Sequence, residues 1–333
     1  MLDAEDRSEC GGFGDGCARL YSGDHLRRVD LPERFECPRQ RWRAGSSLNV
    51  ASVDRPRASA LPRPLDRILS VFGRRNAPLH VTIDEGTGPA VVLLHGIASS
   101  STTFAALIPL LLPEHRVVAI DLLGFGQSAA DAAVDFSLDD HVRALTRTLK
   151  HLHVRGPVVL VGHSMGALIA ARYAATRHPA IARLILVSPP IYPAAELLTK
   201  RTDRAIQSLR LRMYRALRTN RRRTLEWARE LERLPQLRDV LDLSDKNWNA
   251  FEKSLAHAIE VQSTIDDIAA TDVPIDIVFG TADPFILPAG IRLAEAHPNV
   301  TVHRIIGGDH LIRPRTARVI FDAIDRATAG ANT

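Results

Sequence analysis

The chain has 333 residues, of which 45% are apolar and 24% charged, which suits one large α/β domain with an insertion, or two domains. No apolar stretch approaches the roughly 18 residues of a membrane-spanning helix, so we expect no transmembrane segment. The net charge of +5 comes mainly from arginine in residues 27–75 and 200–223. Neither region matches a recognisable nucleic-acid module, so we expect no nucleic-acid partner.

Residues 1–75 are rich in Arg, Pro, Gly and Ser and lack sustained periodicity, which predicts a disordered N-terminal extension. The stretch Leu65–Gly73 is predicted to form one or two amphipathic helical turns before the domain begins. Cys10, Cys17 and Cys37 all lie here, which excludes a disulfide scaffold, and their spacing matches no metal-binding pattern. The cysteine usage and the polar N-terminus predict a cytoplasmic protein without a metal or cofactor.

From Leu79 onward, short apolar runs alternate with helix-forming stretches, which predicts an α/β fold with a mostly parallel sheet covered by helices on both faces. The predicted strands are Leu79–Asp84, Ala90–Leu94, Arg116–Ile120, Pro157–Val161, Arg183–Val187, Ile275–Phe279 and Val300–Ile306. The predicted helices are Thr103–Leu112, Leu138–His151, Met165–His178, Pro288–His297 and Pro314–Thr328.

Ser164 lies between Gly162 and Gly166, where the strand "GPVVLV" passes into the helix that starts at Met165. A strand that turns into a helix within about three residues leaves room only for small side chains on either side of the turn. The pattern G-x-S-x-G in this setting is typical of a nucleophile elbow, which presents a serine hydroxyl at a helix N-terminus. A helix N-cap serine without chemistry is the alternative reading.

Residues 191–270 break the alternation, since they carry no strand signal and several amphipathic helices, which predicts a helical lid inserted over the sheet. Ile206, Leu209, Met213 and Leu217 share one helical face, and arginines occupy the rest. The basic face is either simply solvated or contacts an anionic lipid surface or an acidic substrate. Peripheral membrane contact through this lid is therefore one expectation.

A serine nucleophile needs a base, and His310 is the one histidine that follows a buried-strand pattern near the C-terminus within a glycine turn. The base needs a carboxylate, which we assign to Asp283 in the loop after "IDIVFG". Asp309 is a weaker candidate because sequence neighbours rarely face each other. A surface-loop histidine and a turn-forming aspartate before proline are the alternative readings.

Two backbone N–H groups are expected to form an oxyanion hole, those of Met165 and of Ile97, with Ala98 as second choice to Ile97. His95 follows a buried strand, so we expect it to brace this loop rather than to react.

Five segments in order, "LLHGIASSSTTF", "AIDLLGFGQS", "LVGHSMGA", "FGTADPF" and "GGDHLI", resemble the motifs of the α/β-hydrolase fold superfamily. The resemblance covers about Leu79–Thr328 and implies an eight-stranded type of sheet, with residues 76–190 and 271–333 as the core and 191–270 as the lid. It also implies a serine triad of Ser164, Asp283 and His310. Serine at position 164 is unlike the haloalkane dehalogenase and epoxide hydrolase branches, which have aspartate there.

The leading hypothesis is a serine hydrolase of carboxylic esters or thioesters that works through an acyl-enzyme, similar to a carboxylesterase or lipase. Its partner would be a small acyl substrate, lipid-like or anionic. Two alternatives stay open: hydrolysis of a carbon–carbon bond in a diketone by the same triad, and a non-catalytic ligand receptor that retains the triad.

Overall fold

Seven strands form one sheet in the computed structural model, which describes residues 77–128, 130, 133–154, 156–176, 181–235, 237–238 and 240–329. Their order across the sheet is β1-β3-β2-β4-β5-β6-β7, and every neighbouring pair is parallel except β1 with β3. The strands are β1 (Val81–Glu85), β2 (Ala90–Leu94), β3 (Arg116–Ile120), β4 (Val158–His163), β5 (Ile181–Val187), β6 (Ile275–Gly280) and β7 (Val300–Ile305).

Helices cover both faces of this sheet because the central strands bury side chains alternately on two sides. Val92, Leu94 and Leu160 enter one core, and Val91 and Val159 enter the other. The helices are α1 (Ile108–Leu111), α2 (Leu138–His151), α3 (Met165–Ala175), α4 (Arg201–Thr219), α5 (Arg221–Glu232), α6 (Trp248–Ser254), α7 (Thr264–Ala269), α8 (Pro288–Glu295) and α9 (Pro314–Ala329). Short 3₁₀ turns lie at Ser101–Phe104 and Ala195–Leu197, and a π turn at Leu255–Ile259.

The predicted fold class is confirmed: the protein is α/β, with a mostly parallel sheet between two layers of helices. Each predicted strand is present, with bounds that differ by two residues or fewer. The sheet holds seven strands in the described part of the chain, where an eight-stranded type was expected, because β1 is the edge strand and none precedes it from residue 77 onward. The predicted N-terminal extension and Leu65–Gly73 lie outside the described residues.

The chain between β5 and β6, here called the helical segment (residues 188–274), contains α4 to α7 and no strand among its described residues. Ile206, Leu209 and Met213 are solvent-exposed, whereas Leu217 lines a cavity. The face of α4 that is packed inward carries Gln207 and Tyr214 instead. Across the described ranges, no helix has the length and apolar character that crossing a membrane requires.

Candidate active site

Ser164 occupies the turn between β4 and α3 in a strained backbone conformation, with φ 54° and ψ −119°. Its amide donates a hydrogen bond to the carbonyl of Val187 at 2.9 Å, which ties the turn to β5. A Cβ on Gly162 would lie 2.3 Å from the Gly166 carbonyl oxygen, and a Cβ on Gly166 would lie 2.2 Å from that of Leu94. The backbone clashes therefore restrict both positions to glycine, and the tight packing holds Ser164 in its positive-φ conformation.

Asp283 and His310 are brought together from the loops that follow β6 and β7. The Nδ1–H of His310 donates to Asp283 Oδ2 at 2.7 Å, while Asp283 Oδ1 accepts from the amide of Phe285 at 2.9 Å. Burial raises the pKa of Asp283, but the hydrogen bond and charge of His310, with further donors from Phe285 and Ser188, hold it below its ordinary value. The carboxylate is therefore ionised at neutral pH and fixes the His310 proton on Nδ1, which leaves Nε2 as an acceptor.

Two rings flank the His310 imidazole. Phe285 stands edge-on to it with ring centroids 4.7 Å apart, and His163 lies at 4.8 Å on a tilted plane. His163 Nε2 donates to the backbone carbonyl of His310 at 2.8 Å, so the turn around Ser164 is bonded directly to the His310 loop. Burial lowers the pKa of His163 to about 3, and it therefore stays neutral beside His310.

Ser164 and His310 line one cavity of about 610 Å³, together with Ile97. Asp283 is buried behind His310, with no side-chain exposure. The three predicted residues thus converge, although no direct hydrogen bond joins the Ser164 hydroxyl to the imidazole among the described contacts. Such bonds are often long without substrate and tighten in the substrate complex. The weaker candidate Asp309 forms an ion pair with Arg313 instead of contacting the imidazole.

The predicted oxyanion donors come from two different parts of the chain. Met165 is the first residue of α3, where N–H groups lack an intrahelical acceptor. Ile97 lies in the loop after β2 and lines the cavity, and Ala98 next to it has φ 51°. His95 braces this loop as expected, since its Nδ1–H donates to the Gly96 carbonyl at 2.7 Å and its Nε2 accepts from the Leu122 amide at 2.8 Å.

Sequence reasoning missed the contacts that the helical segment makes with the Asp283 loop. Arg210 Nε donates to the Pro284 carbonyl at 2.8 Å, and the Tyr214 ring stacks on Phe285 with centroids 6.2 Å apart. The hydroxyl of Tyr192 donates to the Phe285 carbonyl at 2.9 Å. The aromatic residues in "DPF", "IYP" and "RMYR" are the sequence features that make these contacts. Hydrophobic periodicity does not show which aromatic residues contact one another in the fold.

In the described part of the chain, no group of three or more His, Cys, Asp or Glu residues is arranged to hold a metal ion. The site thus presents an alcohol, an imidazole and a buried carboxylate beside a largely apolar cavity.

A family model described as "alpha/beta hydrolase fold" matches residues 89–313, which include Ser164, Asp283 and His310. The chain belongs to this family. Among curated proteins, it is 33% identical over 132 residues to probable lysophospholipase BODYGUARD 3 of Arabidopsis thaliana, covering 38% of this chain and 26% of that protein. It is 30% identical over 126 residues to haloalkane dehalogenase 2 of Mycobacterium bovis, covering 38% and 44% respectively. The match therefore spans less than half the length of either relative.

Among solved structures, a thermophilic esterase from Thermogutta terrifontis superposes with a TM-score of 0.60 at 24% identity, over 77% of this chain and 94% of that chain. This likeness concerns the fold of the α/β-hydrolase core and agrees with the family assignment.

Proposed function

We propose that this α/β hydrolase cleaves carboxylic ester or thioester bonds through a triad of Ser164, His310 and Asp283. The observation that carries the proposal is the 2.7 Å bond from His310 Nδ1–H to a buried, ionised Asp283, with Ser164 on the wall of the same cavity. That bond fixes the tautomer in which Nε2 can accept the serine proton. The likeness to a protein named a probable lysophospholipase supports an ester substrate.

The proposed reaction has two stages. Ser164 Oγ attacks the substrate carbonyl carbon as its proton passes to His310 Nε2, and the N–H groups of Ile97 and Met165 stabilise the oxyanion. Each of these donors contributes about 3 kcal/mol to transition-state stabilisation. The imidazolium then protonates the leaving alcohol or thiol, and water, deprotonated by His310, releases the acid from the acyl-enzyme.

The helical segment serves as the lid in this proposal. More than half of the residues that line the cavity belong to it, and two hydrogen bonds tie it to the loop of Ile97. The amide of Asp242 donates to the Ala98 carbonyl at 2.8 Å, and the Ser99 hydroxyl donates to the Val240 carbonyl at 2.6 Å.

Serine at position 164 favours acyl transfer over dehalogenation, although one relative is named a haloalkane dehalogenase. A halide-displacing member of the superfamily has aspartate at the elbow, as the sequence resemblance implies. Carbon–carbon bond hydrolysis uses the same three residues, so product analysis separates it from ester hydrolysis.

The test is active-site labelling combined with a substrate panel. We expect a fluorophosphonate probe to modify Ser164 of the wild type and to fail on Ser164→Ala, while the matched variant Ser208→Ala, exposed on α4, labels normally. Esters and thioesters should turn over with release of the acid, and Ser164→Ala should lose this activity. Labelling without turnover of any ester would contradict the proposal, and cleavage of a diketone alone would favour the carbon–carbon alternative.

A further inference from the structure

The lining of the cavity beside Ser164 has two parts, a polar part that we call the floor and an apolar part that we call the roof. The floor carries His163, His310 and Ser164. The roof is supplied by the helical segment, whose lining residues are hydrocarbon or indole side chains apart from Tyr214 and Thr224. Leu231, Phe251 and Leu255 are examples from three different parts of that segment.

The two polar residues of the roof have their hydroxyl groups occupied. The Tyr214 hydroxyl is bonded to that of Tyr192 at 3.0 Å, and burial raises its pKa well above the ordinary value, so it stays neutral. The Thr224 hydroxyl donates to the Leu217 carbonyl at 2.7 Å. The hydroxyl protons of the roof are therefore already donated within the protein, and none is left to donate to a polar substrate group.

The carboxylate and guanidinium on the cavity wall are also paired. Arg313 Nε donates to Asp309 Oδ2 at 2.9 Å, and these two are the only acidic or basic side chains, histidine aside, in the described lining. A charged group brought into the cavity would lose its water without gaining a free counter-ion, which is strongly unfavourable. This argues against the anionic substrate considered from sequence.

Trp227 and Leu234 line the cavity and are also 55% and 46% exposed, so the lining contributed by the helical segment reaches solvent with apolar side chains. A volume of about 610 Å³ lies well inside the range of roughly 300–1,000 Å³ that encloses small organic ligands. An acetyl group would leave most of this space unfilled, whereas a longer hydrocarbon chain would occupy more of it and contact more of the apolar lining.

We propose that the cavity binds an uncharged apolar chain attached to the scissile carbonyl of the substrate, with the chain packed against Leu231, Phe251 and Leu255. The chain reaches the carbonyl either as the acyl part or as the alcohol part of the ester. This inference rests on the proposed function for the position of the carbonyl at Ser164. The inference adds that the protein selects its substrate by burying the apolar chain of the substrate under the helical segment.

The first test is a chain-length series. Each methylene buried should raise kcat/KM about fourfold, so hexanoate should exceed butyrate by about 16-fold among p-nitrophenyl esters. The alkyl acetates from ethyl to octyl form the second arm, which reports burial of the alcohol part. A rise in either arm supports the inference and assigns the chain to that side. A change below threefold from two to eight carbons in both arms overturns it.

Charge provides a control of the same length. The mono-p-nitrophenyl ester of suberic acid carries a carboxylate at the far end of the same eight-carbon chain as the octanoate ester. We expect it to react at least 100-fold more slowly than the octanoate, since the carboxylate has no partner in the cavity. Equal rates would overturn the inference.

The roof is tested by Leu231→Gln with Leu209→Gln as the matched control, because Leu209 is 61% exposed and does not line the cavity. Leu231→Gln should reduce kcat/KM for octanoate at least threefold through KM, and leave acetate within twofold. Leu209→Gln should leave both esters within twofold. Equal effects of Leu231→Gln on short and long chains would contradict the roof contact.

A binding readout separates this inference from the proposed function. In the Ser164→Ala variant, 2-decanone should raise the Tm more than 2-butanone at equal concentration, without any turnover. If Ser164 is labelled and short esters react but chain length has no effect, the inference fails and the proposed function stands. If no ester reacts but 2-decanone binds, the proposed function fails and the apolar chain site stands.

Discussion

Asp283→Asn replaces a carboxylate whose two oxygens each accept an N–H. Oδ2 accepts from His310 at 2.7 Å, and Oδ1 accepts from the Phe285 amide at 2.9 Å. An asparagine has one oxygen and one NH₂, so it satisfies only one of these donors. With its oxygen toward His310, its NH₂ opposes the Phe285 N–H. With its NH₂ toward His310, it requires Nδ1 to accept, and the imidazole proton moves to Nε2.

The second orientation removes the base, because a protonated Nε2 cannot accept from Ser164. The first orientation keeps the tautomer but withdraws the charge that stabilises the imidazolium. A wrong tautomer in a serine triad lowers kcat about 10⁴-fold. The unpaired buried donor further lowers the free energy of unfolding by about 1–3 kcal/mol. We therefore expect kcat to fall by about 10³ to 10⁴-fold, with folded protein still present.

The assay is kcat on an ester that the wild type cleaves, together with the rate of fluorophosphonate labelling and the midpoint of urea unfolding. The control is Asp309→Asn, whose carboxylate pairs with Arg313 rather than with the imidazole. It should change kcat by less than tenfold. A folded Asp283→Asn variant within tenfold of wild type, or a larger loss in Asp309→Asn, would refute the assignment of Asp283.

Gly166→Ala should lower the free energy of unfolding in urea by about 1–3 kcal/mol or more. Its Cβ would meet the Leu94 carbonyl oxygen at 2.2 Å, and neither backbone segment can move easily. An unchanged midpoint of urea unfolding would contradict this. His95 and His163 have pKa values of about 4 and about 3, below the ordinary value, so the unfolded chain takes up protons first as the pH falls. The stability that each contributes is complete above about pH 6.5 and is lost toward pH 4 for His95 and toward pH 3 for His163. Near pH 5, each lowers the free energy of unfolding by about 1.4 kcal/mol per pH unit. A free energy of unfolding that stays constant from pH 7 to 5 would speak against this. Peripheral membrane contact stays a prediction: vesicles rich in phosphatidylserine should bind the protein at low salt, and Leu209→Glu on the exposed face of α4 should weaken binding. Equal flotation of both proteins would count against that contact.

The fold was predictable because the strands of a doubly covered parallel sheet are continuous apolar runs, as in Val91–Leu94 and Val158–Val161. The positions of Ser164, Asp283 and His310 followed from the same pattern. Loops after the carboxyl ends of parallel strands meet at one edge, so residues far apart in sequence could be paired by strand order alone.

The sequence did not predict what surrounds the imidazole, because ring contacts depend on tertiary packing rather than on period. Phe285 and His163 flank His310 from different loops, and Tyr214 reaches Phe285 from a helix. The sequence also did not predict which face of α4 packs inward. The apolar stripe of Leu209 and Met213 suggests a buried face, but the packed residues are Gln207 and Tyr214. The NH₂ of Gln207 donates to the Pro193 carbonyl, and the Tyr214 hydroxyl is bonded to that of Tyr192.

The helical segment leaves and rejoins the sheet at strands that are hydrogen-bonded neighbours, with Leu184 paired to Ile275 and Val187 to Val278. Because β5 and β6 are parallel, the segment leaves at the carboxyl end of β5 and returns at the amino end of β6, and the strand pairing holds both ends in place. The helical segment of a homologue could therefore replace residues 188–274 without altering the strand register that aligns Ser164 with Asp283. A chimaera of this kind would carry the bond-breaking machinery of one protein and the substrate preference of another.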